Sequence, residues 1–158
     1  MSPGESIAGQ VDEVWPALPI ASWADTFATL HMMTQIVGKT RLALAPMQNH
    51  WWQVTLYVTP RGLTTSAMPY GQRTAAVEFD LVDHNVRIQT STGASKAIPL
   101  VSRPVREFYL EYLDVLRALD IDARINGTPV EVVTAIPFAR DTEHASYDPD
   151  WANRWWRA

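Results

Sequence analysis

The residues able to do acid–base or ligand chemistry near neutrality are few. Four histidines, His31, His50, His84 and His144, carry the side chains that titrate there without help. His31 falls one helical turn after Phe27 and one before Gln35. His50 precedes paired tryptophans, His84 lies in a turn-forming run, and His144 follows Glu143. A metal centre needs about three such ligands converging, and neither HExxH nor any comparably tight spacing occurs. Only a long-range meeting of His31, His50, Glu143 and His144 would make one, so no metal and no cofactor is assigned. Thr64, Thr65 and Ser66 form a hydroxyl cluster without the G-x-S-x-G elbow of a nucleophilic serine. Hydroxyls on a strand ordinarily bond across it. Glu78 and Asp80, two residues apart, share one face of a strand. A solvated face is the simpler reading, because acid–base work needs a cleft and two pKa values pushed apart. Phosphate-loop and dinucleotide glycine patterns are absent.

A richer group lies in Asn49 to Tyr70, NHWWQVTLYVTPRGLTTSAMPY. Its period of two reads as a β-hairpin. Trp52, Val54, Leu56 and Val58 make an apolar face, and Trp51, Gln53, Thr55 and Tyr57 a mixed one. Thr59-Pro60-Arg61-Gly62 supplies the turn, since proline presets φ and glycine tolerates positive φ. Leu63 to Met68 returns, bringing Thr64 and Ser66 alongside. Ligand sites combine apolar walls with a few polar groups in this way. The candidate ligand-binding residues are therefore Trp51, Gln53, Thr55, Tyr57, Arg61 and Tyr70, joined by His31 and His50. The bland alternative is a helix covering this face, with its polar atoms satisfied internally. Trp151, Trp155 and Trp156 form a second candidate, an aromatic patch for an interface or for packing within the chain.

Several elements must position these groups. Residues 1–14 read as a flexible tail, small and polar, and Trp15 before Pro16 as an extended anchor. Ser22 is the expected N-cap of a first helix, with Asp25 three residues on. Trp23, Phe27, Leu30, Thr34 and Val37 form its buried stripe, and Gly38 its stop. Arg41–Ala45 reads as a short strand. Thr74–Val82, Val86–Thr90 and Ser95–Leu100 follow as strands separated by short turns, an antiparallel meander. Pro104 opens a second helix with an apolar face from Val105 to Leu119. Ile121–Ile125 and Thr128–Val133 flank Asn126-Gly127, a strong hairpin signal. Asp148 and Pro149 open a short third helix. The sum is an α+β fold: a twisted antiparallel β-sheet with two main helices packed on one face and a short C-terminal helix, in one domain over residues 15–158.

The runs WADTFATLHMMTQIVGKTRLALAP, NHWWQVTLYVTPRGLTTSAMPYG and EHASYDPDWANRWWR closely resemble a bacterial family of unknown function, domain-of-unknown-function family 5996. The resemblance extends from Trp15 onward and implies no activity and no catalytic residue. Members of that family run on past the helix that ends here, which implies that this chain corresponds to an N-terminal portion or to a naturally short version.

A formal charge of -4 argues against a nucleic-acid partner. The chain has no cysteine, which removes disulfides and thiolate chemistry. It has no apolar run of about 18 residues and no signal-peptide centre at its start, so a cytoplasmic protein with no membrane partner is expected. The leading functional expectation is a soluble binding module for a small ligand or protein partner. One alternative is a hydrolase-like enzyme using His31, His50, Arg61 or Tyr70, its site completed by a further C-terminal region or a partner chain. The other is a subunit that self-associates into a homo-oligomer through the C-terminal tryptophans.

Overall fold

The computed structural model describes residues 15–158; the tail read over residues 1–14 lies outside them. Helix α1 is Ala24–Leu44. It is longer than the sequence suggests and runs straight through Gly38 and the expected strand Arg41–Ala45. A helical glycine costs about 1 kcal/mol, and tertiary packing overrides that cost here. Ile36 and Val37 are buried before Gly38, Thr40 and Arg41 after it. Thr40 Oγ1 donates back to the Ile36 carbonyl and accepts from Tyr112 Oη at 3.0 Å. The N-cap is Trp23 rather than Ser22, which belongs to a preceding short turn, Ile20–Ser22, and no side chain caps the helix. The buried front is also broader than the expected stripe. It includes Met32, Met33 and Ile36, while Phe27 is 44% exposed. Trp15, expected as an anchor, is 75% exposed.

The sheet has six antiparallel strands: β1 (Tyr57–Thr59), β2 (Gly62–Thr64), β3 (Met68–Tyr70), β4 (Arg73–Asp80), β5 (Asn85–Thr90) and β6 (Ser95–Pro99). The order is β1-β2-β4-β5-β6, with β3 also paired to β4. Thus β2 and β3 lie end to end along one edge of β4. Between them Ser66 and Ala67 face the single residue Ala76, a bulge at which Ser66 takes φ 55°. The Thr65 hydroxyl holds the join by accepting the Val77 N–H. Leu63, Phe79, Val86 and Ile98 stand opposite one another across four strands. The last three are buried, and the helices cover this face. The next row, Thr64, Glu78, Arg87 and Ala97, faces outward. The α+β architecture with an antiparallel sheet is the one the turn spacing implied.

Helix α2, Val105–Ala118, buries Val105, Phe108, Tyr109, Tyr112 and Leu116 against the same core. Pro104 is its N-cap and not, as expected, a first-turn residue after a cap at Ser102 or Arg103, so the helix starts later than expected. Residues 121–133 form no hairpin. Gly127 is absent from the glycines with positive φ, so the two-residue turn that Asn-Gly usually makes does not form. Asn126 Oδ1 instead accepts the Thr128 N–H, and the Gly127 carbonyl takes the Phe138 N–H. Helix α3, Pro149–Arg157, starts as expected, the Asp148 carboxylate accepting from Asp150 N and Trp151 N. It packs back on the chain. Trp155 lies 6.4 Å from buried Trp23, and Trp156 Nε1 donates to the Thr59 carbonyl at 3.2 Å.

Candidate functional site

The expected hairpin strand through the paired tryptophans is the main correction. Asn49–Val54 forms tight helical turns with a kink, in which His50 (φ 55°, ψ 25°) and Trp51 (φ 63°, ψ 25°) are left-handed. Only Tyr57–Thr59 enters the sheet, at its edge. The cause lies in α1. Because the helix continues to Leu44, the following chain must turn back across it. The buried Arg41 side chain fixes that return: its Nε donates to the Gln53 carbonyl, its NH1 donates to Ser66 Oγ, and its guanidinium lies 5.0 Å from the Tyr57 ring centre. The face shared by Trp51, Gln53, Thr55 and Tyr57 therefore does not exist. Gln53 is buried, its Oε1 accepting the Gln48 N–H and its Nε2 directed at the Met47 sulfur.

The turn instead forms one wall of a groove of about 620 Å³ along α1. His31, Gln35, Lys39 and Leu42 come from the helix, at one-turn spacing. His50, Trp51, Val54 and Leu56 come from the returning chain, and Val130 and Glu131 close the third side. Three of the groove residues, His50, Trp51 and Glu131, are among the six non-glycine residues with positive φ in the described part of the chain. Such backbone costs on the order of 1 kcal/mol or more per residue and collects where function constrains the chain.

Gln35 sets the geometry of the third side. Its Oε1 accepts the Val130 N–H at 2.9 Å and its Nε2 donates to the Val130 carbonyl at 2.8 Å. The amide is thereby oriented, and its second N–H faces His31 Nε2 at 3.2 Å. His31 Nε2 must be the acceptor, which puts the ring proton of neutral His31 on Nδ1. Lys39 has no hydrogen-bond or ion-pair partner among the described residues. Burial lowers its ammonium pKa from the ordinary lysine value. The groove thus offers a cation, two imidazoles and an indole over an aliphatic floor, with the Glu131 carboxylate in its third wall.

Of the eight expected binding residues, His31, His50 and Trp51 meet in this groove. Gln53 is buried and Tyr57 stacks on Arg41. Thr55 is exposed just beyond the turn. Arg61 lies elsewhere, bound through Nε to Asp80 at 2.7 Å and through NH2 to Asp83 at 2.6 Å. Tyr70 lies in a different hollow with Asp120 and Asp122, under the Arg73 guanidinium. Sequence reading missed Gln35 and Lys39. Their spacing from His31, four and eight residues, was a usable signal, since i, i+4 and i+8 share one helix face. The histidines form no single centre. His84 Nδ1 meets Tyr147 Oη at 2.9 Å and His144 Nδ1 meets Asp141 at 2.8 Å. Among the described residues no three His, Asp or Glu side chains converge to hold a metal ion, and no helix is long and apolar enough to cross a membrane.

Residues 15–158 match the sequence model of a family described as a family of unknown function (DUF5996). No curated protein and no solved structure matches the chain.

Proposed function

The chain belongs to that family of unknown function, and we propose that within it this domain binds a small organic anion with an aromatic or apolar part in the groove along α1. The observation that carries this reading is Lys39, an unpaired ammonium placed beside His31, His50 and Trp51 in a concave, part-apolar site. An unpaired cation over a greasy floor is poorly solvated and gains from an anionic partner. The Trp51 indole offers a flat face for a ring, and Leu42, Val54 and Leu56 accept an apolar body. The left-handed turn holds His50 and Trp51 before any ligand arrives, which reduces the ordering cost of binding. Self-association through Trp155 and Trp156 has less support, because both side chains are half-buried on the chain's own body.

The test is calorimetric titration with 1-naphthoate and its neutral amide. The carboxylate should bind more tightly than the amide. Lys39→Ala should weaken the carboxylate about tenfold, near 1.4 kcal/mol, and leave the amide unchanged. Trp51→Ala should weaken both. If native protein binds neither compound, or if Lys39→Ala leaves carboxylate affinity intact, the groove does not have this role.

A further inference from the structure

On the other flank of α1, near its first turns, lies a second cleft of about 490 Å³ that shares no residue with the groove. Its distinguishing feature is an oriented imidazole. The Asp141 side chain is completely buried, while that of His144 is 28% exposed. One carboxylate oxygen of Asp141 accepts the backbone N–H groups of Glu143 and His144, at 3.2 and 3.1 Å. The other meets His144 Nδ1 at 2.8 Å. A carboxylate oxygen here accepts, so in the neutral imidazole Nδ1 carries the proton and Nε2 presents its lone pair. Nε2 has no partner among the described residues and is not among their buried unpaired atoms, so it reaches solvent. The mount is rigid. The carbonyls of His144 and Asp141 accept the N–H groups of Val105 and Arg106 at the start of α2, each at 2.9 Å.

We propose that this cleft is a hydrolytic site in which His144 is the general base and Asp141 its positioning residue, and that it takes a small neutral or ammonium-bearing ester. Of the hydroxyls lining the cleft, Ser102 donates to the Tyr147 carbonyl and accepts the Tyr147 N–H, and Thr29 donates to the Asp25 carbonyl. Ser146 is exposed, and the attacking group assigned here is water held by His144. His144 Nε2 takes a proton from water as the water oxygen bonds to the ester carbonyl carbon. The C–O bond to the alcohol then breaks, and the proton on Nε2 passes to the departing oxygen. Ester plus water gives acid plus alcohol, and the imidazole is restored. The Ala145 N–H, which lines the cleft through its residue and has no acceptor among the described residues, is the available donor for the developing oxyanion. Charge selects the substrate. Asp25 and Glu143 line the cleft, and no lysine or arginine does, so an ammonium is favoured and a carboxylate repelled.

The experiment measures hydrolysis of three p-nitrophenyl esters by the purified chain: acetate (neutral), glycinate (ammonium) and hemisuccinate (carboxylate). Rates above buffer are expected in the order glycinate, acetate, hemisuccinate. His144→Gln should lower kcat about 100-fold or more, the usual scale for a general base. In Asp141→Asn the oxygen can still accept the two backbone N–H groups, while the amide nitrogen faces Nδ1 and forces the ring proton to Nε2. That change should lower kcat at least as far with KM little altered. Nitrogen NMR should show His144 as the Nδ1–H tautomer in native protein and Nε2–H in Asp141→Asn. A purely structural Asp141 would not produce this paired shift in tautomer and kcat. Turnover no faster than buffer for all three esters, an unaffected His144→Gln, preference for the hemisuccinate, or a native Nε2–H tautomer would each overturn the proposal.

Discussion

The β4–β5–β6 meander and the irregular rim around α1 are held by different means. In the meander β4 and β5 are held by ladder hydrogen bonds on both sides and β6 on one, and alternate residues join a row of buried partners such as Phe79, Val86 and Ile98. In the rim single side chains hold whole segments. Arg41 ties the 49–54 turn through one carbonyl, Gln35 ties residues near 130 through one amide, and Asp141 ties the 141–144 loop through one carboxylate, alongside two backbone bonds to the start of α2. A ladder averages over many bonds and enforces ordinary dihedrals. A single clasp leaves the rest of its segment free to take unusual ones, as His50, Trp51 and Glu131 do at the groove. The lesson is that the clefts of this fold open where side chains, and not a ladder, tie the backbone.

The largest expected effect tests whether the sheet is as tightly specified as this contrast requires. Gly62 has φ 154°, and a Cβ there would stand 1.9 Å from the Phe79 carbonyl oxygen. Neither atom can move without breaking the β2–β4 pairing. Gly62→Ala should therefore cost about 4 kcal/mol or prevent folding. A urea midpoint shifted by less than about 1 kcal/mol equivalent would show that this edge yields as the rim does.

The same contrast explains what could be read from sequence. The meander was legible to within a residue or two because alternation in TAAVEFDL and NVRIQT reflects two distinct environments, core and solvent, and short turns leave antiparallel pairing as the simple solution. Helix α2 and the Asp148–Pro149 start of α3 were legible for equally local reasons. The rim was not. NHWWQV alternates as well as any strand, yet its path depends on Arg41, twelve residues earlier. Asn126-Gly127 is a hairpin signal only if its flanks can pair, and Val130 is already taken by Gln35, 95 residues away. Of the groove, His31, His50 and Trp51 were legible as candidates, but for a sheet face that does not form. The Asp141–His144 pair was invisible because Asp141 looked like one polar loop residue among many.

Asp80 is where the meander borrows the rim's device, and it predicts a middle-sized effect. Its carboxylate is fully buried at the end of β4, bonded to Arg61 and to the N–H groups of Val82 and Asp83. Burial by itself pushes the carboxyl up, but the Arg61 hydrogen bond, those two N–H groups and the Arg61 charge outweigh it and hold the pKa below its ordinary 3.8. The folded value lies below the unfolded one. The stabilisation is therefore complete above about pH 4 and is lost as pH falls through the lowered folded value. Asp80→Asn keeps an oxygen for the backbone N–H groups and removes the charge. It should cost about 1–2 kcal/mol at pH 7, discounted because Arg61 is 42% exposed. It should also flatten the acid limb of the stability curve. An acid limb identical to that of native protein would mean that the turn, not the charge, is what Asp80 supplies.

The smallest effect falls on the rim itself and separates the two modes most sharply. Gln35→Ala removes both bonds to Val130 and the donor facing His31, at a solvent-exposed clasp worth about 1 kcal/mol. Global stability should scarcely move. Local opening should change far more, because residues 128–133 make no ladder and Gln35 supplies both hydrogen bonds recorded for the Val130 backbone. Amide exchange should accelerate at Val130 and its neighbours while β4 and β5 stay protected. The His31 ring, released from the amide, should then populate both tautomers in nitrogen NMR. Unchanged exchange at residues 128–133 would mean that Pro129, which is buried, holds this wall without Gln35. The groove would then be set by packing, as the sheet is, and the distinction between ladder and clasp would fail at the site where it matters most.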